Sequence, residues 1–141
     1  MNLTKNFTLE ELLRSSRAEK SGFKEQFKPS AEVIANLTAL AVHILQPIRD
    51  YLGHAIFVSS GYRCQELNAA VKGAKNSQHL KGQAADLQAL GEFSNKDIFE
   101  AIIAAKLPFD QLLWEFGNSD NPAWVHVSYS SRNRRQILYV K

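Results

Sequence analysis

The stretch from Asn76 to Asp86 constrains this chain more than any other part, because it carries a histidine, a glycine and a carboxylate in close succession. His79 and Asp86 are seven positions apart. That spacing would rise about 10 Å in a helix, and in a strand it would span roughly 23 Å with the two side chains on opposite faces. Neither element lets both side chains bind one ion. A shared metal therefore requires a sharp turn, which Gly82 permits at low steric cost, and a short strand would then present Asp86.

A third metal ligand is needed for such a site, and the chain offers three further histidines. His43 lies in a long apolar helical pattern, where partly buried packing is the expected role, and His54 follows a helix-ending glycine. His126 lies in the alternating segment 124–129, which predicts a strand whose one face carries His126 and Trp124. Two imidazoles and one carboxylate, with a water in the remaining position, form the open type of zinc site that catalyses hydrolysis. The predicted Zn²⁺ ligands are therefore His79, Asp86 and His126.

The size and composition of the chain fit one globular domain. A chain of 141 residues buries roughly two thirds of its unfolded surface, so we expect residues 1–141 to form a single domain. With 45% hydrophobic and 22% charged residues, the composition is not that of a disordered chain. No apolar run approaches the ~20 residues of a membrane span, and the first residues lack the apolar core of a secretory signal. We expect neither export by that route nor stable membrane insertion.

The lone cysteine and the one basic cluster have structural explanations. Cys64 excludes an internal disulfide and a thiolate-rich zinc site, and at a predicted helix start we expect a buried, inert thiol. The net charge of +3 is mild, and the basic residues are scattered except for Arg132, Arg134 and Arg135. A nucleic-acid binder built on these arginines would need an aromatic stacking platform, which is not evident. A solvated C-terminal hairpin is the expected explanation.

The order of the predicted elements indicates an α+β fold. Thr8 to Glu11 form a capping-box pattern at the start of a helix that should end near Gly22. Ser30 caps a long apolar helix, which Pro47 should kink or end. The remaining predicted elements are a strand over 55–59, helices over 66–71 and from Ser94 to about Lys106, and strands over 110–116, 124–129 and 136–140. Because helices come first and strands cluster late, we expect a small antiparallel sheet with helices packed on it.

Arg63 follows the predicted strand 55–59 in the turn Ser60-Gly61-Tyr62-Arg63. A guanidinium at the end of a strand is well placed to bind an anionic group, because its fork matches a carboxylate. The same side chain could instead pair with a surface acid such as Glu66. The spacing alone favours neither role.

Three segments of the chain match one known pattern: Ser60-Gly61-Tyr62-Arg63, Ser77-x-His79-x-x-Gly82-x-Ala84-x-Asp86 and Trp124-Val125-His126-Val127-Ser128. Together they resemble the zinc D-alanyl-D-alanine carboxypeptidase family, peptidase family M15, and most closely its small bacterial and phage branch. The segments Phe7 to Leu12 and Leu67 to Val71 also resemble that branch, so the resemblance covers most of the chain. It implies a hedgehog/DD-peptidase-like α+β fold and a zinc-dependent enzyme that cleaves peptidoglycan stem peptides, as a D-Ala-D-Ala carboxypeptidase or an L-Ala-D-Glu endopeptidase.

The resemblance also implies roles for individual residues. By position, His79, Asp86 and His126 match the metal ligands of the family, and Arg63 matches the arginine that steadies the substrate or the developing oxyanion. Ser77 and Gln78 would lie beside the metal and support substrate binding. The implied partner is a peptidoglycan peptide, with no nucleic acid, and the implied state is a monomer. Without an export signal, such a protein would be made in the cytoplasm and would act on the wall after release, as a phage lysin does, or on recycled wall peptides.

The chain departs from the family pattern at Ala123, where many members have an acidic general base three residues before the last histidine. A base must lie within hydrogen-bond reach of the attacking water. We expect Glu115 in this role, because the strands flanking residues 117–123 could pair so that Glu115 lies opposite His126, with Cβ atoms about 5 Å apart. Asp120 is the alternative base. The alternative function is a noncatalytic, zinc-stabilised module that binds the cell wall or a protein.

Overall fold

The computed structural model describes residues 1–141, and it has the α+β character that the sequence predicts. The α-helices are α1 (Leu9–Leu13), α2 (Ser16–Ser21), α3 (Ala31–Leu40), α4 (Gln46–Leu52), α5 (Gln65–Ala70) and α6 (Asn95–Ala104). The strands are β1 (Ile56–Ser60), β2 (Ala84–Ala89), β3 (Gln111–Glu115), β4 (Trp124–Ser128) and β5 (Gln136–Val140). Two 3-10 helices cover Lys24–Phe27 and Gln78–Lys81, and a π-helical turn, Ala41–Leu45, joins α3 to α4.

The five strands form one mixed sheet in the order β1-β2-β4-β3-β5. All neighbouring pairs are antiparallel except β3 and β5, which run parallel. The expectation of an antiparallel sheet is therefore wrong for the last strand. A chain that turns back after β4 would normally pair with β4, but β2 and β3 already occupy both of its edges. Residues 129–135 instead cross to the free edge of β3, where the returning strand must run parallel to it.

The N-terminal helix that the sequence predicts is split into α1 and α2. Thr8 caps α1, since its Oγ1 accepts a hydrogen bond from the Glu11 N–H at 3.1 Å, but the reciprocal bond to the Glu11 side chain that a capping box requires is not formed. The backbone then leaves helical geometry at Arg14 (ψ 131°), and the Ser15 hydroxyl accepts from the Ala18 N–H at 3.0 Å to start α2. Ser15 therefore acts as a second N-cap. The predicted end at Gly22 is confirmed, because Gly22 closes α2 in the left-handed conformation.

The long apolar helix continues past Pro47, contrary to one of the two expected outcomes. Ser30 caps it as predicted, with its Oγ accepting from the Val33 N–H at 3.2 Å. Just before the proline, the Gln46 N–H bonds to the Ala41 carbonyl five residues back, in the π-helical turn. Pro47 then stands at the start of α4. The hydrogen-bonding pattern thus changes from i→i−4 to i→i−5 immediately before Pro47. For this reason the missing N–H of the proline does not end the helix.

The helical span Ala31–Leu52, of 22 residues, has the length and apolar composition of a candidate membrane span. The amino-acid sequence did not indicate such a span, because isolated polar residues interrupt the apolar run without ending the helix. In the fold, Leu37, Leu40, Ile44 and Ile48 from this span are fully buried in the core. The core helix of a globular protein meets the same criteria, so this span is weak evidence for a membrane segment.

The main core lies between the helices and one face of the sheet and contains 24 buried apolar residues. Val125 and Val127 of β4 point into it and are fully buried, whereas their neighbours Trp124 and His126 lie on the opposite face and line a cavity. The period-two alternation of β4 therefore divides the strand as predicted. The core therefore lies on one face of the sheet, and the cavity lies on the other.

Candidate metal centre

The sharp turn that a shared metal requires between His79 and Asp86 is present. It is built by the 3-10 helix Gln78–Lys81 and by Gly82 (φ 73°), which ends that helix in the left-handed region. A Cβ at position 82 would lie 2.9 Å from the Val33 carbonyl oxygen, so both the conformation and the space require glycine here. Ser77 begins the turn, with its Oγ accepting from the His79 N–H at 3.2 Å. The turn leads directly into β2, which carries Asp86.

Asp86 lies between two imidazoles. Its Oδ1 is 3.3 Å from His79 Nε2 and 3.1 Å from His126 Nδ1. Asp86 and His126 are directly paired in the β2–β4 ladder, so neighbouring strands set their side chains next to each other. One ligand atom from each of the three residues lies within 4.8 Å of the others. The structure therefore brings together the three side chains that the sequence predicts as metal ligands, and the cluster could bind a metal ion.

The surroundings of His79 fit a metal ligand better than a packing residue. Its Nδ1 lies 2.7 Å from the Gly61 carbonyl oxygen, which requires the proton to be on Nδ1 and leaves a lone pair on Nε2. That Nε2 is buried, has no hydrogen-bond partner, and faces the Asp86 Oδ1 at 3.3 Å. Two acceptors facing each other repel unless a cation lies between them. A carbonyl that fixes the tautomer in this way is typical of metal-binding histidines.

The charge state of the cluster also suits a metal. Burial alone would raise the pKa of Asp86, but the adjacent imidazoles of His79 and His126 hold it well below its usual range. Burial lowers the pKa of His79 below its usual value, and the neighbouring Asp86 only partly offsets this effect. At neutral pH the cluster therefore contains a carboxylate and a neutral His79, which are the protonation states that metal binding needs.

A cavity of about 800 Å³ opens over the three candidate ligands. Its lining includes two acids, Asp86 and Glu115, against five arginines. These arginines are Arg14, Arg17, Arg63, Arg132 and Arg134. Because the cationic groups outnumber the acids, the cavity favours a ligand that carries negative charge.

Glu115 lies on the same face of the sheet as His126 but not opposite it. Leu113 pairs with His126, and Glu115 pairs with Trp124, so the register expected for Glu115 is wrong by two residues. The loop between β3 and β4 is two residues shorter than the expected pairing requires, because Phe116 and Gly117 both turn the backbone with positive φ. A shift of two residues preserves the face of a strand, so Glu115 still lines the cavity.

The electrostatic setting of Glu115 ties it to the same cluster. Partial burial raises the pKa of Glu115, while the charges of His126 and Arg63 oppose that rise and Asp86 adds to it. Asp120, the alternative base, lies in an exposed turn where its N–H donates to Asn118 Oδ1. It is not among the residues that line the cavity. Of the two acids considered, only Glu115 faces the candidate metal ligands.

Arg63 lines the cavity without an acidic partner. None of the ion pairs in the protein includes Arg63, so the alternative pairing with Glu66 is not formed. The backbone N–H of Arg63 donates to the His79 carbonyl at 3.0 Å, which ties it to the turn that carries His79. Its Nε is buried without a hydrogen-bond partner. Burial lowers the pKa of Arg63, but a guanidinium remains charged at neutral pH.

Other residues singled out from the sequence have structural roles. Cys64 is buried, as expected, and is the N-cap residue of α5. His43 is exposed rather than partly buried, and its ring stacks on Tyr129 with centroids 4.7 Å apart. Neither His43 nor His54 belongs to the metal cluster. Ser77 lines the cavity but uses its hydroxyl as a helix cap.

Asp110 is a residue whose importance the sequence did not indicate. Its side chain is fully buried and accepts hydrogen bonds from the Arg134 backbone N–H, Nε and Nη2, each at 2.9 Å. It also accepts from Ser130 Oγ and from Gln78 Nε2, at 3.1 Å and 3.0 Å. The hydrogen bonds from Arg134 hold the pKa of Asp110 well below its usual range. Asp110 thus connects the C-terminal segment to the residue that precedes His79.

The C-terminal arginines are therefore not a simple solvated hairpin, as the sequence suggested. Arg134 is held by Asp110, and the Arg135 guanidinium lies 5.2 Å from the centre of the Phe109 ring and donates to the Leu107 carbonyl. Nothing in the local pattern around positions 134 and 135 indicates these contacts, because their partners lie more than twenty residues away.

Comparison with known proteins agrees with this geometry. A family model described as Peptidase M15 matches residues 5–128. The matched region contains His79, Asp86, His126, Arg63 and Glu115, and it ends before β5. A comparison with curated proteins found no match.

Proposed function

The chain belongs to the peptidase M15 family, and from this premise we propose that it is a zinc-dependent peptidase that cleaves peptidoglycan stem peptides. The observation that carries the proposal is the buried, unpartnered Nε2 of His79 facing the Asp86 carboxylate, with His126 on the other side of that carboxylate. We also propose that residues 1–141 form one domain of hedgehog/DD-peptidase-like fold.

His79, Asp86 and His126 would hold the zinc ion, which when bound supplies a Lewis acid and lowers the pKa of a coordinated water to about 7. Three protein ligands with a position left for water are the arrangement of catalytic rather than structural zinc sites. The Gly61 carbonyl keeps the proton of His79 on Nδ1, so Nε2 is the nitrogen presented to the ion.

Glu115 would act as the general base. It accepts a proton from the attacking water and returns it to the leaving amine. Its pKa, raised by partial burial, suits a group that must both take up and release a proton near neutral pH. It lies on the cavity face of β3, the strand next to the one that carries His126.

Arg63 would bind the anionic parts of the substrate and of the transition state. Its guanidinium has no acidic partner, so its charge is available to a substrate carboxylate or to the developing oxyanion. Gln78, which also lines the cavity, would support substrate binding. Its Nε2 is engaged by the Asp110 carboxylate, which leaves the buried Oε1 without a partner as an acceptor for an amide N–H.

A substrate rich in carboxylates explains the excess of arginine around the cavity. Peptidoglycan stem peptides carry several carboxylates and are therefore the substrate class we propose, with the protein acting as a monomer. It would meet them in the wall after release from the cytoplasm, as a lysin does, or as recycled wall peptides.

The experiment that tests this function is incubation of the purified protein with defined muropeptides, first with zinc and then after chelation, with products followed by mass spectrometry. Loss of a single terminal alanine, sensitive to the chelator, would establish a D-Ala-D-Ala carboxypeptidase. A cut between L-Ala and D-Glu would establish an endopeptidase. A protein that binds zinc but cleaves no stem peptide would contradict the proposal.

The second candidate is the noncatalytic zinc-stabilised module, and the observation that favours it is Ala123, where many family members carry an acid. Glu115 in the cavity weakens this reading. Muropeptide binding and turnover distinguish the two candidates. The module would bind muropeptides with the same affinity in the wild type and in Glu115→Gln, and neither protein would release a product.

A further inference from the structure

Gly73 has no conformational reason to be glycine. It lies between α5 and the 3-10 helix that carries His79, and its φ is outside the left-handed region. A Cβ added at position 73 would lie 2.2 Å from Asn68 Oδ1 and 2.8 Å from Arg63 Nη1. The side chains of Asn68 and Arg63 both lie over its backbone, so a side chain at position 73 would displace one or both of them.

Asn68 is held so that its carbonyl oxygen faces this space. It is 5% exposed, and its Nδ2 donates to the Ala74 carbonyl at 3.0 Å. Its backbone carbonyl accepts the Gly73 N–H at 2.8 Å, so the loop is tied to α5 from both sides. Because the amide nitrogen is engaged, Oδ1 must point the other way, and it is buried without a hydrogen-bond partner.

Arg63 forms no ion pair, and the charges of Asp86 and Glu115 act on it only from beyond ion-pair distance. Arg134, which also lines the cavity, has its charge taken up by two hydrogen bonds to the Asp110 carboxylate. Arg63 has no such partner, although it is partly buried. A neutral amide beside a guanidinium can orient it without neutralising it, whereas a carboxylate would compete with any anionic ligand.

We propose that Gly73 and Asn68 are positioning residues for Arg63, which hold its guanidinium towards the cavity with its charge left for an anionic group of the substrate. Gly73 supplies the space, and Asn68 supplies a neutral oxygen fixed by the Ala74 carbonyl. This inference rests on the proposed function, in which Arg63 binds the peptide.

Gly73→Ala tests whether the space over the backbone of position 73 must stay empty. The matched control is Lys75→Ala, because Lys75 is an exposed residue of the same loop. We expect Gly73→Ala to lower kcat/KM on the cleaved muropeptide by about 10-fold or more, as a misplaced binding group does, with zinc content unchanged. The same change in an Arg63→Ala background should have little further effect, because residues that act through one another are not additive. An equal loss in both backgrounds would overturn the proposal.

Asn68→Asp tests whether the group near Arg63 must be neutral, and it leaves position 73 unchanged. It places a carboxylate beside Arg63, and we expect the resulting ion pair to raise KM by about 10-fold, more than it lowers kcat. An unchanged KM would contradict the proposed role of Asn68.

A spectroscopic measurement separates this inference from the proposed function. The Nε–H of Arg63 is buried, so it should give a sharp ¹⁵N–¹H signal in the zinc-loaded protein, assigned by its absence in Arg63→Lys. We expect that signal to shift or broaden in Gly73→Ala and to stay unchanged in Lys75→Ala. This outcome would support the positioning role even if no muropeptide were cleaved, and an unchanged signal in Gly73→Ala would overturn it.

Discussion

Glu115 carries a charge that the fold tolerates rather than uses for stability. Its pKa is raised, chiefly by burial, so the folded state disfavours the ionised form. At neutral pH this ionisation lowers stability, and below the unfolded pKa of about 4.3 the carboxyl is protonated in both states and the penalty disappears. The charge of Glu115, the residue proposed to transfer protons, therefore lowers the free energy of unfolding.

Glu115→Gln should lower kcat by about 10²-fold or more, the usual contribution of a general base, while zinc binding persists. In the metal-free protein, the same variant should be more stable than the wild type at pH 7, and the difference should vanish near pH 4. Muropeptide turnover and urea unfolding at the two pH values measure both effects. Full activity, or a loss of stability at pH 7, would count against this assignment.

The candidate site was predictable at the level of single residues where a local pattern carried the information. The spacing around Gly82 required a turn, and the alternation of segment 124–129 set the face of His126. The partner of His126 was not predictable, because alternation gives the face of a strand but not its register. The Asp110–Arg134 contact was not predictable either, since nothing near either residue indicates the other.

At the scale of elements, α6 ends at a residue with a strained backbone conformation. Lys106 closes it in the left-handed region (φ 54°), with its N–H donating to the Ile103 carbonyl and the Leu107 N–H to the Ile102 carbonyl. This is the pattern of a helix end that usually has glycine. A residue with a side chain costs about 1 kcal/mol in this conformation.

Lys106→Gly should raise the free energy of unfolding by roughly 0.5–1 kcal/mol, because the relief of strain exceeds the entropy that glycine adds to the unfolded chain. Lys96→Gly is the matched control, since Lys96 is also exposed but lies inside α6. That change should destabilise the protein by up to about 1 kcal/mol. Chemical denaturation of both variants decides the point, and destabilisation by Lys106→Gly would refute it.

The attachment of β5 depends on Asp110, which binds Arg134 through its side chain and the Gln136 N–H through its carbonyl. Asp110→Asn would replace an acceptor oxygen by a donor that faces other donors. We expect a lower Tm and faster proteolysis within residues 129–141. Because the pKa of Asp110 is lowered, its contribution exists above the unfolded pKa of about 3.9 and fades as the pH falls below it.

The penalty of Asp110→Asn should therefore shrink in acid, which a Tm series from pH 7 to pH 3 measures. Asp120→Asn is the control, because Asp120 is exposed and makes no side-chain contact of this kind. It should leave both Tm and muropeptide turnover unchanged. A protease-resistant C-terminus in Asp110→Asn would show that β5 is held by other contacts.

Local sequence signals predicted the boundaries of several elements, but they did not predict which strands pair with each other. The strand predicted over 136–140 has those bounds, and Ser94 caps α6 through a full capping box. The parallel pairing of β5 with β3 depends on which sheet edge remains free after β2 and β4 have paired, and this is a property of the assembled sheet.

At the scale of the whole molecule, the candidate ligands join distant parts of the chain. His79 comes from the 3-10 helix, Asp86 from β2 and His126 from β4. Zinc that binds only the folded state should stabilise it by mass action, by about 2.7 kcal/mol when free zinc is 100 times the dissociation constant. Tm should therefore rise with added zinc and fall on chelation.

His126→Ala should abolish this zinc-dependent rise in Tm, and His43→Ala, which removes an exposed histidine outside the cluster, should retain it. Differential scanning calorimetry with and without zinc makes the comparison. The same rise in both variants would place the stabilising zinc site elsewhere. The α+β class itself was predictable from the order of elements, whereas the convergence of these three segments required the complete fold.

The strand order β1-β2-β4-β3-β5 has a consequence for how the molecule fluctuates. Because β2 and β4 are inner strands, each is paired along both edges, and the amides of Asp86 and His126 should be among the last to exchange with deuterium. Glu115 lies at the end of its hairpin beside the exposed loop 116–123, where amides should exchange early. We therefore expect the ligand geometry to persist through openings of the loop that briefly release the base.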